Sequence, residues 1–236
     1  MELKQEHWTK ELGQDFQKYL ITLARPQDKR DWEKRVINTN YPCLAILSKD
    51  VSNIIKEIKK GNFREFLDLK LRDYHVNIII NGVLITYIPD FKTMVRYLDD
   101  YLTSVDNWAT VDVLKFKIKP DNEKAYYQLA QRYLKSKAPF TRRMGLSILM
   151  QFVDDPTYLD DIYAVLDSLS EEKAYYVNMM GAWLLCEAFV KHRDETLAYF
   201  KRNKTNSFIC NKGISKCHDS FRVSKEDKEL LKSFRK

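Results

Sequence analysis

HVNIIINGVLITYI, residues 75–88, is the stretch on which the fold turns. It is rich in β-branched residues and contains Asn81-Gly82, a strong hairpin signal. Read at the helical period instead, Val76, Ile79, Ile80, Val83 and Tyr87 fall on one face. The surrounding sequence decides between the two. A lone hairpin in a chain of helices has no sheet to join, so residues 75–88 are predicted to be helical.

The neighbours read as helices. After Pro89-Asp90, the residues Phe91, Met94, Val95, Leu98, Tyr101 and Leu102 make one apolar stripe. Asp155-Pro156 pairs an N-cap with a first-turn proline, and Leu159, Ile162, Tyr163, Leu166 and Leu169 form the face behind it. Residues 121–137 and 139–153 follow prolines in the same way, and Ser224 with Asp227 opens a last helix with a capping-box pattern. Helix follows helix about every 15 to 20 residues, the spacing of stacked HEAT-type pairs. Tyr97-Leu98-Asp99-Asp100 echoes Tyr158-Leu159-Asp160-Asp161 as a trace of such repetition. The expectation is one all-α domain over residues 1–236, an α-solenoid superhelix with a concave binding face.

Composition agrees. Six Gly and six Pro in 236 residues are about 5% together, against about 12% on average. So few turn residues argue against β-sandwiches and barrels. No run of apolar residues is long enough for a membrane helix, and the N-terminus lacks the apolar core of a signal peptide. A cytoplasmic protein away from membranes is expected. The net charge of +7 lies in residues 201–236, which hold eleven Lys/Arg and four Asp/Glu. Such a cluster suits phosphate-bearing partners or serves as a solvated terminal surface.

Chemistry is sparse. The chain contains no GxxxxGK, GxGxxG, HExxH or GxSxG motif. Cys43, Cys186, Cys210 and Cys217 form no CxxC pair and read as reduced thiols without metal. Trp108 and Asp112 stand at i and i+4, so an indole and a carboxylate share a helix face. That pair suits a cationic ligand, or is simply a half-buried Trp beside a solvated Asp. Trp183 lies in YYVNMMGAWLLCEAFVK, residues 175–191, where Glu187 is the one charge before Lys191. A helix this apolar is central, and Trp183 reads as core or as a site residue. Arg142-Arg143 meet phosphates or are solvated.

Asn107-Trp108-Ala109-Thr110-Val111-Asp112, Tyr175–Met179 leading to Ala182-Trp183, and Asn211-Lys212 through Ser220–Ser224 together resemble the AlkD-type DNA alkylation repair proteins. The resemblance runs from about Trp32 to the C-terminus. It implies a superhelix of HEAT-like repeats and a monofunctional DNA glycosylase that removes N3- and N7-alkylated purines from duplex DNA, without metal or cofactor and without obligatory base flipping. By motif, Trp108 and Asp112 match catalytic residues, Trp183 matches the second active-site Trp, and Arg143 matches an arginine on the DNA backbone. Arg142, Lys212 and Arg222 are the further DNA-binding candidates, and a monomer on alkylated double-stranded DNA is expected. Two departures stand out. Cys186 occupies the place of an arginine common in active members, and residues 44–55 carry no base but Lys49. They favour an alternative of another class, a non-catalytic relative that binds DNA weakly or acts as a scaffold.

Overall fold

The computed structural model describes residues 1–236 and contains helices and no strand. The backbone gathers into two compact units, Met1–Lys117 and Ile118–Lys236. The first holds α1 (Lys10–Thr22), α2 (Gln27–Ile37), α3 (Ser48–Lys59), α4 (Phe63–Asp68), α5 (His75–Ile85), α6 (Phe91–Leu102) and the short α7 (Trp108–Asp112). The second holds α8 (Glu123–Leu134), α9 (Pro139–Leu149), α10 (Leu159–Ser168), α11 (Tyr175–Lys191), α12 (Arg193–Arg202), α13 (Ser207–Asp219) and α14 (Lys225–Lys232), with 3-10 turns at Met150–Phe152 and Pro156–Tyr158. No helix is long and apolar enough to cross a membrane.

In the first unit α5 is the hub, packed by α3, α4, α6 and α7. It is apolar almost all round, which makes it a buried helix rather than a surface one. Ile78, Ile80, Leu84 and Ile85 are its most buried apolar side chains. Val76, Ile79, Val83 and Tyr87, four of the five residues that the period placed on one face, line a pocket instead. The Asn-Gly pair that suggested a hairpin has two tertiary duties. Asn81 Nδ2 donates to the Leu71 carbonyl at 2.9 Å. Gly82 leaves room for the Tyr101 hydroxyl, which a Cβ would meet at 2.6 Å.

In the second unit α9, α11 and α13 pack side by side, with α8 against α9 and α14 against α13, an arrangement consistent with an α-solenoid. A polar network stitches the row. Arg142 donates two parallel bonds to Glu172, at 2.8 and 2.9 Å. Glu172 also accepts from Ala174 N–H, and its carbonyl accepts from Asn178. Asn178 Oδ1 accepts from Asn206, the N-cap of α13. The local caps hold as expected at Asp90, Asp155 and Ser224. The Tyr-Leu-Asp-Asp echo marks no structural repeat: the first copy lies inside α6 and the second straddles a 3-10 turn and the start of α10.

Candidate functional site

The candidate residues fall on both units, and the two sets are built differently. In the first unit Trp108 and Asp112 are the first and last residues of α7, both partly exposed. A helix of five residues has no stability of its own, so its pose is set by what lies beneath. Asn107 caps it, accepting from Thr110 N–H. Asn107 Nδ2 donates to Asp106 at 2.8 Å, and Asp106 accepts further bonds from the Thr39 hydroxyl and Asn40 N–H. From the other side the buried Tyr101 hydroxyl donates to the Thr110 carbonyl at 2.7 Å. Burial pushes the Tyr101 phenol far above its usual range, so it stays a donor. The carboxylate of Asp112 and the indole of Trp108 thus ride on a platform fixed by buried hydrogen bonds.

One residue further round α7, Ala109 and Val113 turn into a pocket of about 770 Å³. Its walls come mainly from α3 and α5 and are mostly apolar, with Glu33 and His75, Ser48, Ser52 and Thr86, and Lys115 and Lys117 among the polar members. Cys43 lies beside Glu33 and His75, within 4.8 Å between donor atoms. Burial and then the charge of Glu33 push its thiol up to about 12, so at neutral pH it is protonated and a poor nucleophile.

In the second unit Trp183 is not core. It is 37% exposed on α11, in line with Tyr175, Met179 and Glu187 at successive i+4 positions, along the strip of the helix that escapes burial. Its indole N–H points to Glu187 at 3.4 Å, and Lys216 of α13 stands 5.6 Å from the ring centroid. Arg222, from the loop before α14, grips Glu187 through both terminal guanidinium nitrogens. That grip holds the Glu187 carboxyl below its usual range. The result is an exposed indole with a lysine over it, braced by an ion pair. Lys212 is exposed on α13, and Phe221, next to Arg222, is 95% exposed.

The two arginines expected on phosphates sit elsewhere. Arg142 is clamped on Glu172 and on the carbonyls of Ser136 and Lys137. Arg143 is 4% exposed and donates to the Tyr176 carbonyl at 2.6 Å. Both tie α9 to the chain entering α11. Cys186 also faces inward, 3% exposed, its thiol against that of Cys217. It therefore does not occupy the place on the surface where an arginine would reach a phosphate. All four cysteines are free and buried.

Sequence reasoning missed Glu187, Lys216 and the pocket. The first had a signal: a single acid four residues after Trp183 marks the wet strip of an otherwise apolar helix.

The profile of one protein family, described as DNA alkylation repair enzyme, matches residues 16–216. Among curated proteins none matches.

Proposed function

The chain belongs to the DNA alkylation repair enzyme family, and from that premise we propose that it is a monofunctional glycosylase releasing cationic alkylated purines from duplex DNA. Membership itself carries the coarser statement, a role in DNA repair with DNA as partner. The observation that carries the finer reading is the buried hydrogen-bond platform under Trp108 and Asp112. Preorganised charge is what this reaction needs. An N3- or N7-alkylpurine is already a cation, so its glycosidic bond breaks without a general acid. The bond electrons leave with the base, which departs neutral, and the deoxyribose becomes oxocarbenium-like. Asp112 stabilises that charge or orients the water that adds to C1′. In the first unit the indole of Trp108 beside Asp112 presents its face to a cationic nucleotide; in the second, the exposed indole of Trp183 offers a stacking surface for DNA. Lys212 and Arg222 supply phosphate contacts, while Arg142 and Arg143 act by fixing α11, the helix that carries Trp183.

The test is a substrate panel on one duplex, with 7-methylguanine, 3-methyladenine or uracil at the same position. Release of the two cationic bases and retention of uracil supports the reading. Efficient uracil excision overturns it, because none of these side chains protonates a neutral base. A second reading, a non-catalytic DNA-binding member, is favoured by the pairing of Arg222 with Glu187, which leaves that cation partly neutralised. Salt-sensitive binding with no release of any base selects it.

A further inference from the structure

We propose that Glu33, Cys43 and His75 form a three-ligand site for a zinc-type divalent ion whose fourth position opens into the 770 Å³ pocket of the first unit. The proposal is independent of the glycosylase reading. It revises the sequence expectation that the cysteines bind no metal, an expectation drawn from close spacing, which these three residues lack.

Four observations carry it. The donor set is a carboxylate, a thiol and an imidazole from three separate parts of the chain, with one ligand atom of each within 4.8 Å of the others. Around a tetrahedral zinc, with bonds of about 2.0–2.3 Å, such atoms stand about 3.3–3.8 Å apart. Glu33 Oε1 and His75 Nδ1 are already at 3.6 Å, and the thiol, now 3.7 Å from the Tyr41 carbonyl, would have to turn from that oxygen to close the set. Next, His75 is 4% exposed, and neither its Nδ1, 3.6 Å from Glu33 Oε1, nor its partnerless Nε2 is held by a hydrogen bond that an ion at Nδ1 would have to break.

Third, the ligands are braced from behind. Ala45 N–H donates to Glu33 Oε2 at 2.8 Å and leaves Oε1 for the ion. Ala45 holds φ at 51°, a left-handed conformation that disfavours a residue with a Cβ. Such local strain persists where surrounding structure imposes it, often at binding sites. The backbone N–H of His75 donates to the Pro42 carbonyl at 3.0 Å, which ties the start of α5 to the loop that bears Cys43. Supports of this kind orient metal ligands. Last, Glu33 and His75 both line the pocket. Three protein ligands with an open side is the arrangement of a zinc ion that binds water or the donor atom of a small molecule.

The test uses the whole chain and Co²⁺ as the probe, since thiolate bound to Co²⁺ gives a near-ultraviolet charge-transfer band. One equivalent should raise that band, and Zn²⁺ should bleach it by displacement. Cys43→Ser should abolish the band, with circular dichroism confirming the fold. His75→Gln and Glu33→Gln should each weaken Co²⁺ binding at least about tenfold, and these two decide the matter if Cys43→Ser does not fold. A wild-type chain without the band overturns the proposal. So does a band that survives Cys43→Ser, or binding that is unchanged in both His75→Gln and Glu33→Gln.

Discussion

Gly82→Ala tests the platform beneath α7. In most helices this change gains about 0.5–1 kcal/mol, because alanine loses less backbone freedom. Here the new methyl would lie 2.6 Å from the Tyr101 hydroxyl oxygen, 2.8 Å from its Cζ and 2.9 Å from a Leu114 methyl. Comfortable contact needs about 3.5–4.0 Å, so the buried phenol has to retreat by about 1 Å. Its bond to the Thr110 carbonyl is 2.7 Å and does not survive such a shift. Leaving those buried groups unpaired costs about 1–3 kcal/mol, and overpacking about as much again. Against the gain in helix propensity, the net loss is about 3 kcal/mol. For a chain of this size that lowers Tm by about 6–12 °C. Thermal melting reads the loss directly, and base release should fall with it because α7 carries Trp108 and Asp112. Tyr101→Phe removes the clashing oxygen, so the double variant should lose less than the two single losses added together. A Gly82→Ala protein that melts at or above wild type refutes the argument that this glycine exists to seat Tyr101.

Arg142→Ala should destabilise the protein by about 3 kcal/mol in urea unfolding, since it strands Glu172 in a largely buried place. A neutral result would return Arg142 to the solvated surface. Cys186→Arg should cost about 3–5 kcal/mol through an unpaired buried charge and should not tighten DNA binding in a salt titration; tighter binding at unchanged stability would put Cys186 back on the DNA side. The acid limb of stability follows from Glu172. Burial raises its carboxyl, but the hydrogen bonds and charge of Arg142 and the Ala174 N–H outweigh that and hold it below its usual range. A lowered folded pKa gives stability that is full above the unfolded value, about pH 4.3–4.5, and is lost as pH falls through the folded one. Glu172→Gln should therefore melt lower at neutral pH and show a shallower decline on acidification, and an unchanged acid limb would remove Glu172 as its source.

What was legible in the sequence was local. Apolar periodicity and the caps at Asp90, Asp155 and Ser224 act over three or four residues, and the helices they announce are present. What was hidden depends on distant partners. The meaning of Asn81-Gly82 lies in Leu71 and Tyr101, so turn chemistry alone pointed to a hairpin. Arg142 and Arg143 read as a surface pair because their partners, Glu172 and the Tyr176 carbonyl, are some thirty positions on. Trp183 was legible as a residue but not as an exposed one, because a helix with one acid looks uniformly apolar until Glu187 is used to set its wet side. Glu33, Cys43 and His75 obey no spacing rule, and only the fold of the first unit brings them together.

The central claim is that Asp112 supplies charge to a glycosidic transition state, and single-turnover release of 7-methylguanine from a methylated duplex tests it most directly. Wild type and Asp112→Asn should bind the duplex equally, and the variant should release base about a hundred- to a thousandfold more slowly. Release at the wild-type rate by Asp112→Asn would contradict the account.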